Sequence, residues 1–347
     1  MKQMYLQDLQ SILEFIESDV PRDDWVKILM GIKNEFGDDA YDIAEQWSSN
    51  ASSFKKDSFR STWSSIKAEG SVTIATVVKT ATDNGYKPNT SEYSPEEKKR
   101  FAEERKKREI RKLEAAAAAK HEQDTWHNTI SQFSQFILSN HTIPVKSNKY
   151  LTEKKVHSFG LNAFKSSIII VMHNDYKTEV IVGAQDIKSF FNNLPNNDDR
   201  TFSFLHIKRG DLAVPLIDSD KKLWNLQVIT ANGTKLFIKH GKKSGCFHFI
   251  GKASDCNIIA VAEGYATAAS IHMATQWPCV VALDAGNLKP VVCSLRDKLP
   301  SNDFIICADD DSGTPGNPGL TKAKEAAKLI NARVAVADFS VLEKKAA

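Results

Sequence analysis

An α/β domain on a parallel sheet is predicted to close this chain, behind an α+β sheet subdomain and an all-α N-terminal domain. Three observations predict that order. Short runs of small and branched apolar residues alternate with helix-forming stretches over the last quarter. In the middle, β-rich runs are separated by the turn residues DSDKK and ANGT. The opening residues carry aromatic and aliphatic positions at helical spacing. With 347 residues, 41% of them hydrophobic and 26% charged, the chain has the composition of a soluble globular protein of two or three domains. No apolar run reaches membrane-spanning length, and MKQMYLQDLQSILEFIES reads as an amphipathic helix instead of a signal peptide, so a cytoplasmic protein with no membrane partner is expected. The net charge of +3 decides little, because nucleic-acid binding depends on where charge lies. Cys246, Cys256, Cys279, Cys293 and Cys307 form no Cys-x-x-Cys pair, which argues against a zinc ribbon or disulfide framework and for small buried apolar residues.

Residues 1–88 are expected to form the helical domain. Trp25, Leu29, Ile32 and Phe36 share one helix face, Ile43 and Trp47 continue it on a second, and Phe59 and Trp63 lie one turn apart on a third. The segment TIATVVKTATDNGY closes the domain at Gly85. From 89 to 124 the composition turns to mixed charge with almost no large apolar residue. Such a stretch favours a solvated helical linker over a phosphate-binding arm, because its glutamates are interleaved with its lysines and arginines. Residues 125–250 begin with the amphipathic helix TWHNTISQFSQFILSN, and the block from SFLHIKRG to FHFIG reads as several antiparallel strands. Asp218-Ser219-Asp220 lacks the glycine and distal glutamate of a calcium loop and is expected to be a hairpin turn.

The last region, 251–347, carries the chemistry. The run IIAVA ends at Glu263-Gly264, CVVA leads into LDAGN, FIICA ends at Asp309-Asp310-Asp311, and ARVAVADF supplies a fourth strand. Strands alternating with helices imply right-handed crossovers and a parallel sheet, whose ligands gather at the carboxyl ends of the strands. Glu263, Asp284, Asp309 and Asp311 all fall at such ends. Carboxylates brought together there repel unless a hard cation sits among them, which predicts magnesium, or manganese in its place. The plain alternative for any one acid is a cap on the following helix. Two strand ends in one sheet, one Glu-Gly and the other Asp-x-Asp, favour the metal.

EGYATA at 263–268, LDAGN at 283–287 and ADDD at 308–311 resemble the Toprim domain of primases from plasmids, prophages and satellite phages. The resemblance implies that Glu263, Asp309 and Asp311 are the catalytic and metal-binding residues, with Asp310 outside that role. It further suggests Asp284, Asn287 and Lys322 as nucleotide or nucleic-acid contacts. Trp25, Gly31, Trp47, Ser48 and Trp63 resemble the pattern of the primase C-terminal type 2 helical domain, which in most relatives follows a different polymerase domain and here comes first. NKYLTEKKVHSFGL is similar to the segment that precedes this kind of Toprim domain. The strands between them resemble the region N-terminal to the Toprim fold in bacterial replicative primases. On that likeness Lys208, Arg209, Lys235, Lys239, Lys242 and Lys243 form a basic stripe bordering the acids.

The implied activity is template-directed synthesis of short RNA primers on single-stranded DNA from ribonucleoside triphosphates. Magnesium would activate the 3′-hydroxyl and neutralise the departing pyrophosphate. A replicative helicase is a further partner the family implies, and the chain is expected to be part of a longer replication protein, with no Walker phosphate loop in its own sequence. The competing reading is a Toprim nuclease, in which water takes the place of the ribose hydroxyl. A type I topoisomerase fits less well, for want of a separate domain carrying an active-site tyrosine.

Overall fold

The computed structural model describes residues 5–66, 72–87, 94–309, 313–314 and 316–336. They fall into two compact units, Met1–Ala119 and Lys120–Ala347. The first contains α1 (Leu6–Leu13), α2 (Arg22–Phe36), α3 (Tyr41–Ser49), α4 (Lys56–Ser65) and α5 (Ile74–Asp83), with a 3-10 turn over Gly37–Ala40. Leu29, Ile32, Phe36, Phe59 and Trp63 are buried in one core with Leu9, Ile12 and Val77. Each of three indoles finds a partner as it enters that core, as a buried N–H requires. Trp25 Nε1 donates to Ser48 Oγ at 3.0 Å, Trp47 Nε1 to the Ile16 carbonyl at 2.8 Å and Trp63 Nε1 to Asp38 at 2.8 Å. Gly31 is required by proximity: a Cβ there would stand 2.8 Å from Val77 Cγ2 and 2.9 Å from the Thr73 carbonyl oxygen, so α2 and α5 touch backbone to backbone.

A single helix, α6 (Pro95–His141), runs 47 residues through the unit boundary. The sequence reading separates a linker ending at 124 from a docking helix beginning at 125. No residue between them breaks a helix, and EAAAAAKHEQD favours one, so the two segments are continuous. Leu113 in its middle is 71% exposed, whereas Trp126, Ile130, Phe133 and Ile137 are buried. Phe101 near its start is also buried, stacked on Tyr5 at 4.2 Å, so the helix is packed near both ends and solvated between them.

The second unit adds β1 (Thr142–Pro144), α7 (Lys149–Lys154), β2 (Asn162–Phe164), β3 (Ile168–His173), β4 (Thr178–Val182), α8 (Ala184–Asn192), β5 (Phe202–Ile207), β6 (Leu212–Ile217), β7 (Leu223–Ile229) and β8 (Lys235–Phe237). These are followed by β9 (His248–Ile250), β10 (Ile258–Ala262), α9 (Tyr265–Thr275), β11 (Cys279–Val281), α10 (Ala285–Lys298), β12 (Asp303–Ala308), α11 (Pro318–Ile330) and β13 (Arg333–Val336). The antiparallel strands form two sheets, β1-β2-β6-β7-β8 and β4-β3-β5, and the end of α6 packs against residues of both. The last sheet runs β13-β12-β10-β11-β9. In it β10 to β13 are parallel, as expected. Its fifth strand, β9, pairs antiparallel with β11, so HFI joins this sheet, whereas the sequence reading groups it with the preceding one; that sheet keeps a single bridge to the segment, from Ile217 to Phe247.

Alternation along β10 separates two cores. Ile259 and Val261 face α10 and α11, while Ala260 and Ala262 lie with Ala268 and Ala269 of α9 against Leu212, Val214 and Leu216 of β6. The small residues let α9 approach the strand closely. One continuous apolar layer thus joins the antiparallel sheet to the parallel one. Burial pushes the thiols of Cys246, Cys279 and Cys307 up to about 11, 12 and 11, in keeping with small apolar core residues. DSDKK is the expected hairpin turn: Asp218 accepts from the backbone N–H of Asp220 at 2.9 Å and of Lys222 at 3.0 Å.

Candidate active site

Strand β10 lies between β12 and β11, with Ala262 opposite Cys307 on one side and Val281 on the other. Glu263 follows β10 directly and Asp309 follows β12 directly, so the two carboxylates leave adjacent strand ends spaced by about 4.8 Å. Both residues are half-buried, and one oxygen of Glu263 is withdrawn from solvent. Helix capping does not account for Glu263: the N-cap of α9 is Gly264, with no side-chain cap. It does account for Asp284, whose Oδ1 accepts from the Asn287 backbone N–H at 3.0 Å at the start of α10. Asp310 and Asp311 lie outside the described residues.

Leu283 turns the chain between β11 and this cap in a left-handed conformation (φ +78°), which is costly for a branched side chain and is held here by its burial at 4% exposure. Asp284 is thereby turned toward Lys243, whose ammonium stands 2.6 Å from its Oδ2. Asn287 has a task other than ligand contact. It is 3% exposed, its amide donates to the Cys246 and Ala282 carbonyls at 2.8 Å each, and its carbonyl accepts from the Gly245 N–H at 2.8 Å. With those bonds made it clamps the 241–246 loop to α10.

The six cations of the expected stripe divide. Lys235 lies beside the Glu263-Gly264 turn: a Cβ placed on Gly264 would stand 3.3 Å from its ammonium. Lys243 belongs with Asp284. Lys242 turns away, with its ammonium 4.5 Å from the centre of the Trp224 ring, where Lys222 also stands at 3.6 Å. Lys239 is exposed beside His240. Lys208 and Arg209 occupy the exposed turn between β5 and β6, with backbone N–H groups bonded to Asp211 at 2.9 Å and Ser167 at 3.1 Å. Leu212 pairs with Ile229, and Ile229 pairs with Lys235, so this turn and Lys235 share one end of the sheet. Lys322 is exposed on α11 and paired with Glu325 at 2.7 Å.

Two carboxylates at adjacent strand ends fit magnesium, which takes one or two protein carboxylates and completes its shell with water and substrate phosphates. Among the described residues no group of three or more His, Cys, Asp or Glu forms a closed cage. Residues missed by sequence reasoning are Gly264, whose lack of a side chain makes room for Lys235, and Tyr265, which is fully buried. The signal for both was their place inside EGYATA.

Residues 257–338 match the model of the Toprim domain, and residues 9–81 match that of Primase C terminal 2 (PriCT-2). Two Escherichia coli proteins named DNA primase TraC are similar to the chain. One is 41% identical over 127 residues, 35% of this chain and 12% of that protein, and the other is 38% identical over 137 residues, 38% of this chain and 10% of that protein. The matched stretches are thus small parts of much longer relatives. Among solved structures, a DNA primase domain from Pseudomonas aeruginosa aligns over 61% of this chain and 70% of its own at 16% identity and a TM-score of 0.37.

Proposed function

We propose that this chain, which carries a PriCT-2 domain ahead of a Toprim domain, is a DNA primase that joins ribonucleotides into short RNA primers on single-stranded DNA. The observation that carries the reading is the pairing of cations with strand-end acids: Lys235 over Glu263-Gly264 and Lys243 on Asp284. A nuclease would need only the acids, a metal ion and a water to cut a phosphodiester. Lysines held beside them suit a triphosphate, whose charge must be bound and turned toward a template. The names of the similar E. coli proteins agree with this assignment.

In the reaction the 3′-oxygen of one nucleotide attacks the α-phosphorus of the next, the bond to pyrophosphate breaks, and the 3′-hydroxyl proton leaves. Glu263, the family's metal ligand or general acid/base, would receive that proton. Lys235 and Lys243 bind phosphate oxygens, while Lys208 and Arg209, at the same end of the sheet as Lys235, hold the template backbone. Magnesium, held by Glu263 and Asp309 with Asp311 as the family's third ligand, would supply charge neutralisation at the triphosphate. A replicative helicase is the further partner that the resemblance implies.

The test is incubation of the full chain with single-stranded DNA, ribonucleotides and magnesium, resolving products by length. Wild type should make short RNA and leave a labelled strand uncut, and Glu263→Gln or Asp309→Asn should lower synthesis by at least about a hundredfold, since an amide supplies neither the charge nor the base. Glu263-dependent cutting without any synthesis would replace the primase by the nuclease reading.

A further inference from the structure

The Tyr265 side chain takes part in no step above, yet it is 0% exposed and both hydrogen-bonding functions of its hydroxyl are used. Its oxygen accepts the Phe159 N–H at 2.6 Å and donates to the His157 carbonyl at 2.9 Å, across more than a hundred residues of sequence. The same short segment is gripped a second time. His248, 5% exposed, places Nε2 2.7 Å from the Phe159 carbonyl and Nδ1 3.2 Å from the Pro215 carbonyl, and its ring lies 5.8 Å from that of Tyr265. Phe159 meets His272 of α9 edge-on at 4.8 Å.

The gripped segment leads back to α7, and α7 supports both basic turns. A Cβ on Gly233 would lie 3.6 Å from the Tyr150 ring, so the hairpin from which Lys235 emerges rests on Tyr150. Asn148, the N-cap of α7, donates to the Gly210 carbonyl at 2.8 Å and so holds the turn of Lys208 and Arg209. The contacts close a ring: from Glu263 and Gly264 through Tyr265 to residues 157–159, along α7 to the 230–234 hairpin, and through Lys235 back to Gly264.

We infer that Tyr265 is a positioning residue, whose hydroxyl, acting through residues 157–159 and α7, holds the Lys235 ammonium over the Glu263-Gly264 turn. The inference rests on the reading of this site as one that binds a triphosphate. Buried Tyr265 has no path to substrate, and its two bonds fix the register between the start of α9 and the element that carries the hairpin. Removing the hydroxyl frees α7 and the hairpin to move against α9, and the ammonium loses its fixed place.

A double-mutant cycle on the full chain tests this, with Tyr265→Phe and Lys235→Ala alone and together. Two quantities are measured: calorimetric affinity for ATP with magnesium, and the rate of primer synthesis on single-stranded DNA. Tyr265→Phe should weaken ATP binding and slow synthesis by about tenfold each, as a misplaced phosphate contact does. In the Lys235→Ala background it should change neither by more than about twofold. Effects that multiply across the cycle, or a Tyr265→Phe protein equal to wild type, would overturn the inference, because a merely structural bond weakens the chain whether or not Lys235 is present. If Tyr265→Phe fails to fold, Tyr150→Leu enters the same path from α7 and must show the same dependence on Lys235. A wild type that binds ATP but makes no primer rejects the primase reading, while the binding cycle still decides the role of Tyr265.

Discussion

Lys235 and Lys242 are seven residues apart in one basic stretch, yet their ammonium groups go to different places: one over Glu263-Gly264, the other over Trp224. Register separates them. Lys235 opens β8 opposite Ile229, whereas Lys242 lies beyond the strand in a loop held to α10 by Asn287. The expected consequence is that Lys235→Ala weakens binding of single-stranded DNA and of ribonucleotides and lowers the salt slope by about one counterion, while Lys242→Ala leaves ribonucleotide affinity within about twofold. Titrations at several salt concentrations check this, and equal losses from the two variants would dissolve the distinction. The Lys243–Asp284 pair is partly exposed, at 42% and 41%, so its worth lies in orientation more than in stability.

Among the elements, α2 and α5 show why one glycine cannot be exchanged. Any side chain at Gly31 presses on Val77 and on the Thr73 backbone oxygen, and only Val77 can turn away. Gly31→Ala should therefore destabilise the first unit by about 1–3 kcal/mol, the usual cost of overpacking, even though alanine favours helix. Thermal unfolding followed by tryptophan fluorescence would register it, and an unchanged or raised Tm would refute the close contact. Trp25, Trp47 and Trp63, drawn from the resemblance to a primase helical module, all have core roles with their indoles bonded inside the unit. Helix α6 gains tertiary support near its start through Phe101, stacked on Tyr5, and at its end through Trp126, Ile130, Phe133 and Ile137, while the exposed stretch between them stands on helix propensity and charge pairs such as Arg105–Glu109 and Arg111–Asp39.

For the second unit as a whole, imidazoles withdrawn from water contribute to the response to acid, His248 buried and His127, His141 and His240 partly so. Burial holds the pKa of His248 below its ordinary 6.5, and also lowers His127, His141 and His240. A base lowered on folding binds its proton more readily when unfolded, so its contribution to stability is full above about pH 6.5 and is lost as pH falls from there through the folded value. The Tm of the chain should fall between pH 7 and pH 5, and His248→Gln should flatten part of that decline. A pH-independent Tm over this range would count against a neutral His248. Among the described residues no helix is long and apolar enough to cross a membrane.

How much of this was legible beforehand follows the reach of each interaction. Periodicity is local, so the four parallel strands, the helices between them and the acids at their ends were legible in IIAVA, CVVAL, FIICA and ARVAV, and EGYATA pointed to the family. The three-stranded sheet of β3, β4 and β5 was not, because its apolar runs carry no mark of which strand each will pair with. Nor was the placement of β9, which depends on pairing with β11 some thirty residues on. The site divides in the same way. Its carboxylates were visible as residues ending strands, whereas the division of the lysines, the clamp at Asn287 and the grip of Tyr265 on residues 157–159 were decided only by the tertiary structure. A charge or hydroxyl has no preferred partner until folding removes it from water and leaves one group within reach.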